Sequence, residues 1–82
     1  MSNSFNLLVD AVCRVKEIVP ASVTAEMLIE DLLMDSLDEV EVMMFLEDEL
    51  GIEIDQAQID SCVTVGDFAA VVDRLIARKA SR

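Results

Sequence analysis

Residues 35–51, DSLDEVEVMMFLEDELG, constrain the fold more than any other stretch, because they carry the start and stop signals of one helix in uninterrupted order. Gly51 suits the left-handed residue that closes a helix, and the spacing predicts a helix over Ser36–Leu50. Its start is marked twice. Ser36 with Glu39 forms an S-x-x-E capping box, and Asp35 with Asp38 is an equally good cap that would move Ser36 to the first helical position with its hydroxyl free.

The flanking segments are helical too. Residues 4–18, SFNLLVDAVCRVKEI, place Phe5, Leu8, Val9, Val12, Cys13 and Val15 near the helical repeat, with Ser4 as cap and Pro20 as the stop. The connection PASVTAEMLIEDLLMD holds Met27, Leu28, Ile29, Leu32, Leu33 and Met34, so it should pack over the domain. Between Asp55 and Thr64 there is room for a short turn of helix. Thr64, with Asp67 three residues on, then caps a last helix, VGDFAAVVDRLIARK, whose apolar face is Phe68, Val71, Val72, Leu75 and Ile76. GIEI is a weak strand signal. The expectation is an all-α fold, a small four-helix bundle of three main helices and one short one, with a long loop between the first two.

Eighty-two residues make one domain, 1–82, with a small core and no room for a large cleft. An apolar share of 54% is that of a folded chain. From Glu17 to Asp73 run sixteen acids and no base, within a net charge of −11. Such a field disfavours nucleic acid and steers toward basic patches on other proteins. No apolar run suits membrane insertion and MSNSFNLL lacks a basic secretory start, so a cytoplasmic monomer is expected. Cys13 and Cys62 lie far apart and the chain has no histidine, so they read as free thiols, and no metal site is expected.

At about 100° per residue the Ser36–Leu50 helix has two apolar sides. Val42, Met43, Leu46 and Leu50 form a core stripe, and Glu39 points the same way from the first turn. Leu37, Val40 and Met44 cluster opposite, with Glu41 and Asp48 on one border and Glu47 on the other. Exposed apolar residues set among negative charges make a docking surface; burial of the same residues under the long loop is the alternative. A nucleophilic enzyme is excluded at Ser36, since no histidine or nearby lysine could serve as base. A calcium loop from Asp31 is excluded as well: it lacks the glycine turn and ends on Val42 where glutamate is needed.

EDLLMDSLDEVEVMMFLEDELGIEI resembles the central region of acyl carrier proteins, whose mark is a D-S-L at the start of the second helix followed by acids and a V-E pair. Asp35, Ser36 and Leu37, then Asp38, Val40, Glu41, Met44, Glu47, Glu49, Gly51, Glu53 and Ile54 agree with the family pattern, and the likeness runs through TVGDFAAVVDRL without insertions. The resemblance implies that Ser36, flanked by Asp35 and Leu37, receives a 4'-phosphopantetheine arm from coenzyme A through a Mg²⁺-dependent phosphopantetheinyl transferase. The arm's thiol would hold acyl groups as thioesters for synthase enzymes of fatty-acid, polyketide or specialised lipid assembly, the chain itself being no enzyme. Partner docking would map to Leu37, Asp38, Val40, Glu41, Met44, Glu47 and Asp48. The interior wall of Val42, Met43 and Leu46 is a candidate to open around an acyl chain.

The chain departs from the family at Leu33, where glycine is usual, with bulky Met34 beside it; at Asp55, in place of proline; in a less acidic QAQIDS; and at Phe45, which is larger than usual on the second helix. An aminoacyl carrier is a related reading. From a different class, an acidic helical adaptor would bind basic protein patches with Ser36 as a plain cap.

Overall fold

A computed structural model describes residues 3–80, which form four helices: α1 (Asn3–Lys16), α2 (Ser36–Leu50), α3 (Gln56–Asp60) and α4 (Val65–Ala80). Between α1 and α2 the chain makes two 3-10 turns, Pro20–Ser22 and Ile29–Leu32, and no strand occurs among the described residues. The helical bundle with a long connection is the architecture expected, and GIEI is not a strand.

Fully buried Leu8 and Val12 of α1, Val42 and Leu46 of α2, and Val65 and Val72 of α4 meet at the centre. Phe5, Phe68 and Ile59 close the core around them, and Val23 and Leu32 bring the long connection down onto it. Three helices that each offer one apolar stripe bury those stripes best against one another, which is what sets this arrangement.

The long connection is fastened at its middle. Leu28 pairs with Thr64 in an isolated antiparallel bridge, with the Ile29 N–H donating to the Val63 carbonyl at 2.9 Å. The first N–H groups of α4, which have no partner within their own helix, donate to this connection: Val65 to Met27 at 2.9 Å and Gly66 to Ala25 at 2.8 Å. A Cβ on Gly66 would lie 3.0 Å from the Ala25 oxygen, so a side chain there would push the strap away. Thr64 caps α4 as expected, its hydroxyl accepting from the Asp67 N–H at 3.0 Å while Asp67 accepts from the Thr64 N–H at 3.0 Å. Those donors, led by the Thr64 and Val63 N–H groups, hold the Asp67 carboxyl below its ordinary range.

Two expectations for the first helix need correction. Ser4 lies inside α1 and is 4% exposed, so it is a packed helical residue and no cap. The helix also ends at Lys16, because Glu17 turns left-handed at φ 55°; Pro20 instead opens the first 3-10 turn.

Candidate functional site

The second helix begins and ends where its punctuation indicates, and the structure decides between the two caps. Asp35 is the cap: its carboxylate accepts from the Asp38 N–H at 2.8 Å, and the Asp38 carboxylate accepts from the Asp35 N–H at 3.3 Å. Ser36 is therefore the first helical residue, exposed, with its hydroxyl in no hydrogen bond to the described residues. Glu39, the cap partner in the other register, points toward α3, where Gln56 Nε2 donates to its Oε1 at 3.1 Å.

The approach to Ser36 is tied to α1. Lys16 Nζ donates to the Leu33 carbonyl at 3.1 Å and to Asp38 Oδ2 at 3.2 Å. The Lys16 ammonium first, and the Asp35 N–H second, hold the Asp38 carboxyl below its ordinary range. Leu33 itself is left-handed, at φ 55° and ψ 37°, with its N–H donating to the Glu30 carbonyl at 3.1 Å. Its side chain is 79% exposed. A glycine adopts this backbone freely, whereas a leucine is strained in it.

The residues of the expected docking face divide into two groups. Leu37, Val40 and Met44 are 65, 39 and 56% exposed, and Glu41 and Asp48 are exposed beside them. The long connection does not cover them. Asp38 and Glu47 are half-buried and already bonded, Asp38 to Lys16 and Glu47 to the Ile54 N–H at 2.9 Å. Phe45 lies on the α1 side, with the Arg14 guanidinium 5.0 Å from its ring centroid, a cation–π stack that takes it away from the exposed stripe.

Beside Ser36 an open groove of about 700 Å³ runs between the long connection, the start of α2 and α3. Its apolar lining includes Leu28, Leu33, Met34, Ile59 and Val63, and its acids include Asp35, Glu39 and Asp60. Val42 and Leu46 are sealed in the core and, with Met43, line no part of it. The opening next to Ser36 is thus walled by the connection and α3. Cys62 also lines it, with its thiol donating to the Gln58 carbonyl at 3.2 Å and pushed up in pKa mainly by burial. Both cysteines are free, and among the described residues no three acids or thiols converge as a metal site.

Lys16 is the part of this site that sequence reading did not single out; Leu33 was noted as standing where glycine is usual, which is the residue that suits its left-handed backbone. The available signal was small: Lys16 is the last base before the long acidic run. Nothing local to it indicates which acid it meets.

Residues 6–72 match the family model described as a phosphopantetheine attachment site. An acyl carrier protein of Saccharopolyspora erythraea is 46% identical over 52 residues, covering 63% of this chain and 55% of that protein. Acyl carrier protein 1, chloroplastic, of Hordeum vulgare is 40% identical over 76 residues, covering 87% of this chain and 51% of that protein. The chain spans about half the length of the curated relatives it matches. The solution structure of a holo acyl carrier protein from Geobacter metallireducens superposes with a TM-score of 0.81 over 99% of this chain and 94% of that one, at 24% identity, and shares the fold. The chain belongs to the acyl carrier protein family, whose members are carriers and not enzymes, and its covalent cofactor is 4'-phosphopantetheine. An exposed, unbonded serine hydroxyl at a helix start, opening beside a partly apolar groove, fits such a group.

Proposed function

We propose that Ser36 is the attachment point of the arm, and that the chain is one carrier domain delivering acyl groups to the enzymes of fatty-acid or related polyketide or specialised lipid synthesis. The observation that carries this is the cap: because Asp35 takes the capping role, the Ser36 hydroxyl is left outside the helix's own bonding. The N–H groups of Ser36 and Leu37 lie in the first turn without intrahelical acceptors, and together with the helix dipole they favour a phosphodiester on that hydroxyl. Bound there, the arm supplies a thiol that holds an acyl group as a thioester.

The chain's own residues do the rest. Ser36 supplies the ester oxygen and Asp35 keeps the turn in shape without competing for that oxygen. Leu28, Met34, Ile59 and Val63 offer apolar surface along which part of the arm or its cargo would rest. Leu37, Val40 and Met44, rimmed by Glu41 and Asp48, would meet the transferase and synthases through apolar contacts set in basic surroundings on the partner. Asp38 and Glu47 would contribute charge to that field while shaping α2 from within. Serial docking of this kind wants fast encounter and modest affinity, which charge steering provides. Two free thiols suit the reducing cytoplasm.

The test is intact mass after incubation with coenzyme A, Mg²⁺ and a broad-specificity phosphopantetheinyl transferase, with Ser36→Ala in parallel. One phosphopantetheine gained by the parent alone is the expected result. No gain by a folded parent across several transferases would overturn the reading and leave α2 as an acidic binding surface.

A further inference from the structure

Lys16 is the last residue of α1, and the two oxygens that its ammonium holds lie on either side of Ser36: the carbonyl of Leu33 three residues before it and the carboxylate of Asp38 two residues after it. The grip extends further, because the same Asp38 oxygen accepts from the Asp35 N–H. Residues 33, 35 and 38 are therefore all referred to one cation on a different helix.

The bracket matters because the turn does not hold itself. Leu33 sits in a conformation that leucine resists, and its exposed side chain adds no packing to secure it. Besides its N–H bond to Glu30, this residue is tied by the Lys16 bond to its carbonyl. An ammonium is suited to the task, a compact charge with three donors that can serve two acceptors at once.

We propose that Lys16 is a positioning residue for Ser36: by bridging Leu33 and Asp38 it holds the strained turn that presents the serine hydroxyl to the enzyme that modifies it. The proposal rests on Ser36 being the attachment site. Displacing a reacting group by even an ångström lowers the rate of its chemistry steeply, so loss of the bracket should act on turnover. Lys16 is half-buried between α1 and α2 and lies apart from the exposed stripe, so carrier affinity should hold.

The experiment compares Lys16→Met, Lys16→Arg, Leu33→Gly and the Lys16→Met/Leu33→Gly double variant. It reads arm addition with coenzyme A, Mg²⁺ and transferase by intact mass, split into kcat and carrier KM, together with global stability and amide exchange at Leu33 and Asp35, whose N–H groups are bonded to Glu30 and Asp38. Lys16→Met should lose about tenfold in kcat with KM little changed, and exchange at Leu33 and Asp35 should speed up by a similar factor beyond any global change. Lys16→Arg should recover part of the loss. The double variant should recover most of it, since glycine enters the left-handed turn without the strain that leucine meets there.

Parent-like turnover and exchange in Lys16→Met would overturn the proposal, as would a rise in KM alone or a loss that Leu33→Gly leaves unrepaired. If Lys16→Met does not fold alone, the double variant should fold and be modified, and its failure counts equally against the bracket. If the parent takes no arm, the reading of Ser36 fails, and the bracket is judged on amide exchange.

Discussion

The two ends of α2 contain the same backbone device built from different residues. Gly51, at φ 64° and ψ 37°, closes the helix; Leu33, at φ 55° and ψ 37°, ends the 3-10 turn that leads into it. Each end is held by a lysine from a neighbouring helix, Lys79 Nζ donating to the Leu50 carbonyl at 3.1 Å and Lys16 to Leu33 and Asp38. At the Gly51 end the conformation is free of strain, and Glu47 fastens the outgoing chain at Ile54. At the Leu33 end it is strained, and the strained side chain faces solvent beside the serine. Strain is thus accepted at the end that bears Ser36 and avoided at the other, as it is also accepted at Glu17 where α1 ends.

Installing the costly residue at the quiet end should have the largest effect. Gly51→Leu should lose about 2 kcal/mol in chemical denaturation from the left-handed backbone, the Lys79 ammonium near the new Cβ being the flexible end of a side chain that can move aside. A loss near zero would mean that the two ends are equally tolerant and that Leu33 carries no strain worth noting.

Removing the cap at the Ser36 end comes next. Asp35→Ala should cost about 1 kcal/mol or less, because Ser36 can step into the capping role. In doing so it would withdraw its hydroxyl, so arm addition should fall by more than the stability loss explains. Equal modification of parent and variant at full occupancy of the fold would show that the choice of cap does not matter to the site.

The reverse exchange is smaller. Leu33→Gly should gain about 0.5 kcal/mol in denaturation, relief of left-handed strain being partly offset by the greater freedom of glycine in the unfolded chain. A loss would show that the leucine side chain makes a stabilising contact despite its exposure.

Acid titration gives the finest contrast. The Asp38 and Asp67 carboxyls are both held below their ordinary range in the folded chain, Asp38 chiefly by Lys16 and Asp67 by backbone donors. A depressed folded pKa contributes stability that is complete above the unfolded value of about 3.9 and is lost as pH falls through the folded value. The acid limb of a stability profile should therefore flatten in Asp38→Asn and in Asp67→Asn. In Lys16→Met it should flatten through the Asp38 component alone. An unchanged limb in Asp38→Asn would mean that the bracket is broken in solution.

Much of this was readable from residue order. The bounds of α2, the Gly51 stop and the Thr64–Asp67 cap rest on bonds spanning no more than four residues, so local spacing suffices to place them. That Val42 and Leu46 lie on one side of α2 and Leu37, Val40 and Met44 on the other follows from the helical repeat alone, whereas the exposure of the second set was decided by where the long connection packs. The first helix was less legible. Its end at Lys16 depends on Glu17 turning left-handed, which no glycine or asparagine announces. Ser4 resembles a cap in composition, yet it is buried inside the helix.

The sequence by itself determined a helical fold with an acidic second helix and a serine at its start, because periodicity, capping residues and charge order are properties of neighbours along the chain; the carrier reading came from the resemblance of its D-S-L stretch to acyl carrier proteins. Tertiary structure alone decided that Asp35 rather than Ser36 caps that helix, that Leu33 is left-handed, that the groove is walled by the connection and α3, and that Lys16 holds the serine's turn. The groove and the Lys16 bracket depend on groups far apart in sequence, Lys16 and Leu33 being seventeen positions apart, that meet only when the apolar stripes have packed; the cap and the Leu33 turn are local, but residue order offered two equal caps and no glycine at position 33.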